Sequence, residues 1–218
     1  MPINCLNLAA VKANPQPWFL ANNMDYQVMR LVREGHSAGK DLVGHDADLT
    51  NSETFQLLAK AGAFSMPHVD RHGVMTVVHV EEGFKDWLIF PPLSEEEQAE
   101  FARGENYCPN YRPMNLRLRP GDTLILPPSR LHAVFSPTDV LMTGNMFWDS
   151  REVLRILKQS NLERLNPELS NEDPAQEFPV KMKAILDLWE RQCGPWTWGS
   201  RQELEAARGV FQVSCYTI

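Results

Sequence analysis

The sequence predicts a mainly β protein, a sandwich or barrel flanked by α-helices. Three observations point there. From Phe55 to about Trp148 the helical period gives way to short apolar or alternating runs: "FQLLAKAGAF", "VMTVVHV", "DWLIF", "NLRLRPG", "DTLILPP", "HAVF" and "DVLMTGNMFW". Turn residues separate these runs, among them Gly83, Pro91-Pro92, Pro120-Gly121-Asp122 and Pro137. Many short strands punctuated in this way build sandwiches and barrels. Helical patterns lie before and after this stretch and, within it, at one insertion.

Taken in order, "DYQVMRLVREG" (Asp25–Gly35) gathers Val28, Met29, Leu31 and Val32 and ends in glycine, as a short helix does. Residues 36–52 are polar and read as a loop that carries His36 and His45. The insertion "LSEEEQAEFARGE" (Leu93–Glu105) reads as a helix, with Ser94 and Glu97 at capping-box spacing and Gly104 to end it. Glu95-Glu96-Glu97 is then favourable charge at a helix start rather than a metal site. Beyond Trp148, Asp149 and Glu152 repeat the capping-box spacing ahead of an apolar face of Val153, Leu154, Ile156 and Leu157. "AQEFPVKMKAILDLWERQCG" and "RQELEAARG" follow. The expected organisation is a barrel over 1–150, with an N-terminal helix and an inserted helix near 93–105, and a helical extension over 151–218. The apolar stripes of that extension must be buried on the barrel or in a homodimer. Trp18, Trp189, Trp196 and Trp198 are expected as core or interface aromatics.

Composition narrows the function. The chain has 218 residues, 43% hydrophobic and 22% charged, and a net charge of −7. An acidic chain lacks the basic face that nucleic-acid binding uses, so no direct nucleic-acid contact is expected. No run approaches the eighteen apolar residues of a membrane span. The N-terminus has no basic start followed by a long apolar run, so no signal peptide is read. Cys5, Cys108, Cys193 and Cys215 are scattered and form no Cys-x-x-Cys pair. The expectation is an intracellular protein, cytoplasmic or nuclear, with reduced thiols.

The stretch "PHVDRHGVMTVVHVEEG" (Pro67–Gly83) holds two metal-site candidates, His68-Val69-Asp70 and His79-Val80-Glu81. A histidine followed two residues later by a carboxylate can hold a catalytic metal, although about one such match arises by chance in this composition. A third ligand is available in "RPGDTLILPPSRLHAVFS", where His132 enters a strand after a Pro-Pro corner and can point into a barrel mouth. Two histidines and one carboxylate leave a face of an iron ion open for oxygen and a bidentate co-substrate. Were that co-substrate a dicarboxylate, its far end would need a cation in a dry pocket. "EEGFKDWLIFPP" supplies Lys85, which alternation puts on one strand face with Trp87 and Ile89.

These residues resemble the Jumonji C (JmjC) family of Fe(II)- and 2-oxoglutarate-dependent oxygenases, in the cupin superfamily. The resemblance runs from about Leu57 to Ser150 with its elements in family order: "AFSMPHVDRHG", then "VVHVEEGFKDWLIFPP" with its Gly-x-Lys-x-Trp strand, then "RPGDTLILPPSRLHAVFSPTDVLMTGNMFW". It implies a double-stranded β-helix (jelly-roll) barrel. It implies that His68, Asp70 and His132 bind Fe(II) and that Lys85 binds the far carboxylate of 2-oxoglutarate. Ser65 stands where the family often has a co-substrate-binding Thr, and Asn145 is a further candidate for a polar pocket contact. Other 2-oxoglutarate oxygenases place an Arg about ten residues after the distal His; Met142 stands there in this chain. Where lysine demethylases of the most similar type carry an aromatic pair, this chain has Val77-Val78.

The implied activity is hydroxylation, or N-demethylation by way of it, of a protein side chain or small molecule, with release of succinate and CO2. Two other readings stand beside it. "PGDTLILPPSRLH" also resembles the second cupin motif, with Ser129 where Gly is common, which fits a metal cupin enzyme that does not use 2-oxoglutarate. A JmjC-like scaffold or binding protein would keep the barrel without the chemistry. Lys85 follows His68 by seventeen residues, as in the family pattern, and His79 by only six. With Thr76, Val78 and Val80 facing inward, His79 faces away and reads as structural. His72 is expected at the surface or behind the ligands, and "YCPNY" (Tyr107–Tyr111) at the rim of the substrate entrance.

Overall fold

The alternating runs become strands of two antiparallel sheets. The computed structural model describes residues 3–9, 52–104, 112–191 and 198–216, together with residues 17, 27–29, 32 and 49. Its strands are β1 (Asn4–Ala9), β2 (Phe55–Ala59), β3 (Phe64–His68), β4 (Met75–Glu82), β5 (Lys85–Ile89), β6 (Met114–Leu118), β7 (Thr123–Leu126), β8 (His132–Phe135) and β9 (Val140–Phe147). The larger sheet has the order β1-β2-β9-β4-β7 and the smaller β3-β8-β5-β6. From β2 onward the chain passes back and forth between the sheets at every step except β5 to β6, which form a hairpin in the smaller sheet, and each sheet interleaves early strands with late ones. That is the double-stranded β-helix, or jelly roll. The edge strand β1 pairs with β2 and was not anticipated.

Alternation decides what enters the barrel. On β4 the side chains of Thr76, Val78 and Val80 are buried, while His79 is half-buried and Glu81 exposed. On β5, Lys85, Trp87 and Ile89 point inward, and Asp86 pairs outside with Arg117 at 2.6 and 2.7 Å. The corner between β4 and β5 depends on Gly83. Its φ of +79° is costly for any residue with a Cβ, and a Cβ there would lie 2.0 Å from the Asp139 carbonyl oxygen.

The helices are α1 (Glu95–Ala102), α2 (Val153–Leu165), α3 (Phe178–Arg191) and α4 (Arg201–Tyr216). At α1 the capping box forms as expected: Glu97 N–H donates to Ser94 Oγ, and Ser94 N–H to Glu97 Oε2. The second expected box does not form. A 3-10 turn over Ser150–Glu152 intervenes, so Asp149 accepts instead from the Arg151 N–H and guanidinium, and α2 starts only at Val153. Ile156 and Leu157 of α2, Met182, Ile185 and Trp189 of α3, and Leu204 and Phe211 of α4 share one continuous apolar core with Val78, Trp87 and Met142 of the strands. Trp189 and Trp198 stack at 5.7 Å within it.

Of the helix expected over Asp25–Gly35, Val28, Met29 and Val32 are buried in the same core, and Gln27 forms an isolated antiparallel bridge with Asp149; its remaining residues, the 36–45 loop with His36 and His45, and Tyr107–Tyr111 lie outside the described residues, as do Trp18 and Trp196. Among the described residues no helix is long and apolar enough to cross a membrane.

Gly83→Ala is expected to destabilise the fold by about 2 kcal/mol or more, because backbone strain and overpacking add. Thermal or denaturant unfolding of the variant measures this.

Candidate metal centre

The centre is built on a strand pairing. β3 and β8 run antiparallel with His68 opposite His132, and Ile89 of β5 is the next neighbour of His132. The two imidazoles therefore leave adjacent strands on the same face, with ring centroids 4.4 Å apart. Each ring is oriented by a backbone carbonyl two residues earlier. His68 Nδ1 lies 2.7 Å from the Met66 oxygen, and His132 Nδ1 lies 2.9 Å from the Arg130 oxygen. A carbonyl only accepts, so both Nδ1 atoms carry the proton and both Nε2 atoms present lone pairs. Trp87 stacks on His132 at 5.1 Å and fixes its plane. Burial, and then the neighbouring His132, hold the His68 pKa below its ordinary value against the pull of Asp70, so this ring stays a neutral ligand.

Asp70 completes the group. Its Oδ1 lies 3.9 Å from His68 Nε2 and 3.7 Å from His132 Nε2, and the three ligand atoms fall within 4.8 Å of one another. Its other oxygen, Oδ2, accepts a 2.5 Å bond from the hydroxyl of buried Thr76. One oxygen is held by the barrel and the other is turned to the histidines. Among the described residues this is the one His/Cys/Asp/Glu cluster with such spacing.

After Asp70 the chain makes a 3-10 turn, Arg71–Gly73, with His72 at a φ of +57°. His72 is buried rather than at the surface. Its Nε2 accepts from the Ala175 N–H at 2.9 Å, so its protonated Nδ1 donates to Ser160 Oγ at 2.9 Å. Its own N–H donates to Glu163 Oε2, and its carbonyl accepts from the Trp148 indole. Burial pushes its pKa down to about 3, and burial pushes that of Glu163 up to about 7. These bonds anchor the turn after Asp70 to α2 and to the link that leads into α3.

The triad opens into a cavity that is also lined by Ser65, Val78, Lys85, Met142 and Glu172. Lys85 is 1% exposed, and its Nζ donates to Ser136 Oγ at 2.9 Å. Among the described residues no carboxylate lies within ion-pair distance of it, and burial lowers its pKa to about 8. Ser65 sits on β3 opposite Val134 of β8, one inward row deeper than the histidines. Asn145 is a correction. It pairs with Val77, on the β9 face opposite to the one that carries Met142 and Met146 into the cavity. Its amide donates to the Glu53 carbonyl and to Thr54 Oγ1, so it is a strand-tethering residue and not a cavity contact. His79 bonds Thr123 across the outer face, away from the triad. Thr76, Ser136, Arg71 and Glu172 were not singled out from the sequence. Thr76 shares the inward face of β4 with Val78, which is a signal that strand alternation offers. Glu172 arrives from the link between α2 and α3, and no local pattern announces it.

No family model matches the chain. Several curated proteins do. A JmjC domain-containing histone demethylation protein 1 from Caenorhabditis briggsae is 27% identical over 110 residues, 45% of this chain, and its counterpart from Candida albicans is 24% identical over 160 residues, 65% of this chain. KK-1 biosynthesis cluster protein D from Curvularia clavata is 27% identical over 161 residues, 72% of this chain. The match spans 10% of the first of these relatives, 34% of the second and 16% of the third. Among solved structures, a cupin superfamily protein from Desulfitobacterium hafniense overlaps 44% of this chain and 67% of its own at 14% identity and a TM-score of 0.29; the strand order itself defines the fold. Fold and site together define a jelly-roll barrel with a candidate His-Asp-His metal site. Within that class the chain is similar to JmjC domain-containing proteins.

Two predictions test the centre. Thr76→Val removes the bond that orients Asp70 and should weaken metal binding about 10- to 100-fold, as lost supporting bonds do elsewhere, measured by competition with a chelator. Glu163→Gln tests the buried carboxyl behind the turn. Because its folded pKa is raised, the folded state holds a proton that the unfolded state releases, and wild-type stability is lost as pH rises from about 4.5 to about 7. The stability of the variant relative to wild type should therefore climb across that window, by on the order of 3 kcal/mol, in unfolding measured at several pH values.

Proposed function

We propose that the chain is an Fe(II)- and 2-oxoglutarate-dependent oxygenase that hydroxylates, or by hydroxylation N-demethylates, a small molecule or peptide side chain. The observation that carries this reading is Lys85. A cation removed from water without a carboxylate partner is costly to hold, and on the wall of the cavity that the triad opens into, at its deeper end, it is a ready site for an anion. β8 places Ser136 four residues beyond His132, about 13 Å deeper along the strand. A five-carbon dicarboxylate chelating at the triad and the extended Lys85 side chain together fill that span.

The donor set fits the metal. Two neutral imidazoles and one carboxylate suit Fe(II) with remaining positions open, and His68, Asp70 and His132 would hold it. When bound, the iron and 2-oxoglutarate let O2 convert the co-substrate to succinate and CO2 and deliver the second oxygen atom into a substrate C–H bond. The protein's own residues orient and exclude. Met66 and Arg130 carbonyls hold the ring tautomers, Thr76 holds Asp70, and Lys85 with Ser136 and Ser65 would grip the co-substrate. The closed space at the triad is small, about 70 Å3. Met142 and Met146 line it, and their unbranched side chains can repack around an entering ligand. The histone demethylation activity in the relatives' names is consistent with the chemistry, while Val78 on the cavity wall brings no hydroxyl to the co-substrate.

Anaerobic titration of the Fe(II) protein with 2-oxoglutarate should give a weak visible charge-transfer band. Succinate should form in air. The band should survive His79→Ala and vanish with His68→Ala. Lys85→Met should weaken 2-oxoglutarate binding at least about tenfold, since a charge-assisted bond is lost. In the wild type, affinity should fall as pH rises through about 8, where Lys85 loses its proton. No band and no succinate would refute the proposal and leave a cupin that works without 2-oxoglutarate, or a scaffold.

A further inference from the structure

A second cavity adjoins the triad, and its chemistry is different. It encloses about 170 Å3, and its walls include Arg71, Glu172, Asp173 and Met146. Met146 and Glu172 also line the metal cavity, so the two spaces meet at these side chains. Arg71 directly follows the ligand Asp70 in the chain, so its guanidinium starts within one residue of the metal site.

Arg71 is 7% exposed, yet its Nε has no hydrogen-bond partner. Among the described residues no carboxylate lies within ion-pair distance of its guanidinium. Its backbone N–H, not its side chain, bonds Glu172 Oε2 at 3.3 Å. Glu163 and Glu172 feel its charge without touching it. A largely buried guanidinium whose Nε is shielded from water and unbonded is a planar fork of donors matched to a carboxylate. Beside it, Asp173 and Glu172 offer carboxyl oxygens to an ammonium; burial, and then Asp70, raise the Glu172 pKa to about 7, and a bound cation would favour its ionised form. The volume is below the roughly 300 Å3 at which drug-sized pockets begin, so it suits a head group rather than a whole large ligand.

We propose that this cavity binds the α-carboxylate and α-ammonium of a free amino acid, with Arg71 taking the carboxylate and Glu172 with Asp173 the ammonium, so that the side chain of that substrate extends past Met146 to the triad. An internal residue of a peptide has neither charge and would leave Arg71 unpaired. The inference rests on the oxygenase reading for the fate of the ligand, but not for its binding.

Calorimetric titration separates the two. The probes are L-alanine, N-acetyl-L-alanine, which lacks the cation, and L-alanine amide, which lacks the anion, each titrated into the metal-free and the Zn(II)-substituted full chain. L-alanine should bind saturably and more tightly than either half-probe. Arg71→Gln should weaken it at least about tenfold, the size of one charge-assisted contact, and Arg71→Lys should restore part of the loss. Glu172→Gln should bring L-alanine closer to N-acetyl-L-alanine, and it tests the site even if Arg71→Gln unfolds. Lys85→Met should leave L-alanine binding unchanged while impairing 2-oxoglutarate. No saturable L-alanine binding, or equal binding by the zwitterion and both half-probes, overturns the inference. Loss of 2-oxoglutarate binding alone counts against the oxygenase and not against this site.

Discussion

The site depends on one register. β3 and β8 pair so that His68 faces His132, and every other part of the centre is placed relative to that pair. A slip of one residue would turn either imidazole out of the barrel, because side chains alternate between faces. The neighbours guard against it. Ile89 and Trp87 on β5 hold the other side of β8, and Trp87 lies flat on the His132 ring. The carbonyls of Met66 and Arg130 then choose which nitrogen of each ring is free. The metal-binding geometry is thus set by backbone hydrogen bonds and by the packing of a sheet.

The same sheet carries a burden that its packing does not explain. Lys85 is among the largest fully buried side chains, and its one described bond is to a serine hydroxyl. A methionine there would pack without the cost of removing an ammonium from water. The proposed function would give that cost a reason: an anion with its other end at the triad. Arg71 presents the same physical puzzle on the far side of Asp70, with carboxylates nearby but none in contact. Two buried cations on two sides of one candidate ligand group are what the two proposed anionic groups would need.

Much of this was legible in the sequence because strand alternation is a local code. The inward set of β5 could be read from "KDWLI", and the outward position of His79 from "TVVHVE". Applied to β9, the same code separates Asn145 from Met142 and Met146; taking Asn145 for a cavity residue overlooked that parity. The capping box at Ser94 was readable because both partners lie within one turn, whereas the one at Asp149 was displaced by a 3-10 turn that its neighbours do not dictate. Glu163, Arg71, Glu172 and the partners of His72 were beyond reach for a different reason. They meet across about ninety to a hundred residues, where the turn after Asp70 docks on α2 and the α2–α3 link, and no periodicity connects segments so far apart.

The most direct measurement is anomalous diffraction from crystals grown with Mn(II), as an oxygen-stable substitute for Fe(II), and 2-oxoglutarate. One strong peak is expected about 2.0–2.2 Å from His68 Nε2, Asp70 Oδ1 and His132 Nε2, a normal ligand distance for such ions, with the far carboxylate of the co-substrate on Lys85. A peak at His79 and Glu81, a fourth protein ligand closing the face, or a dicarboxylate bound away from Lys85 would contradict the account.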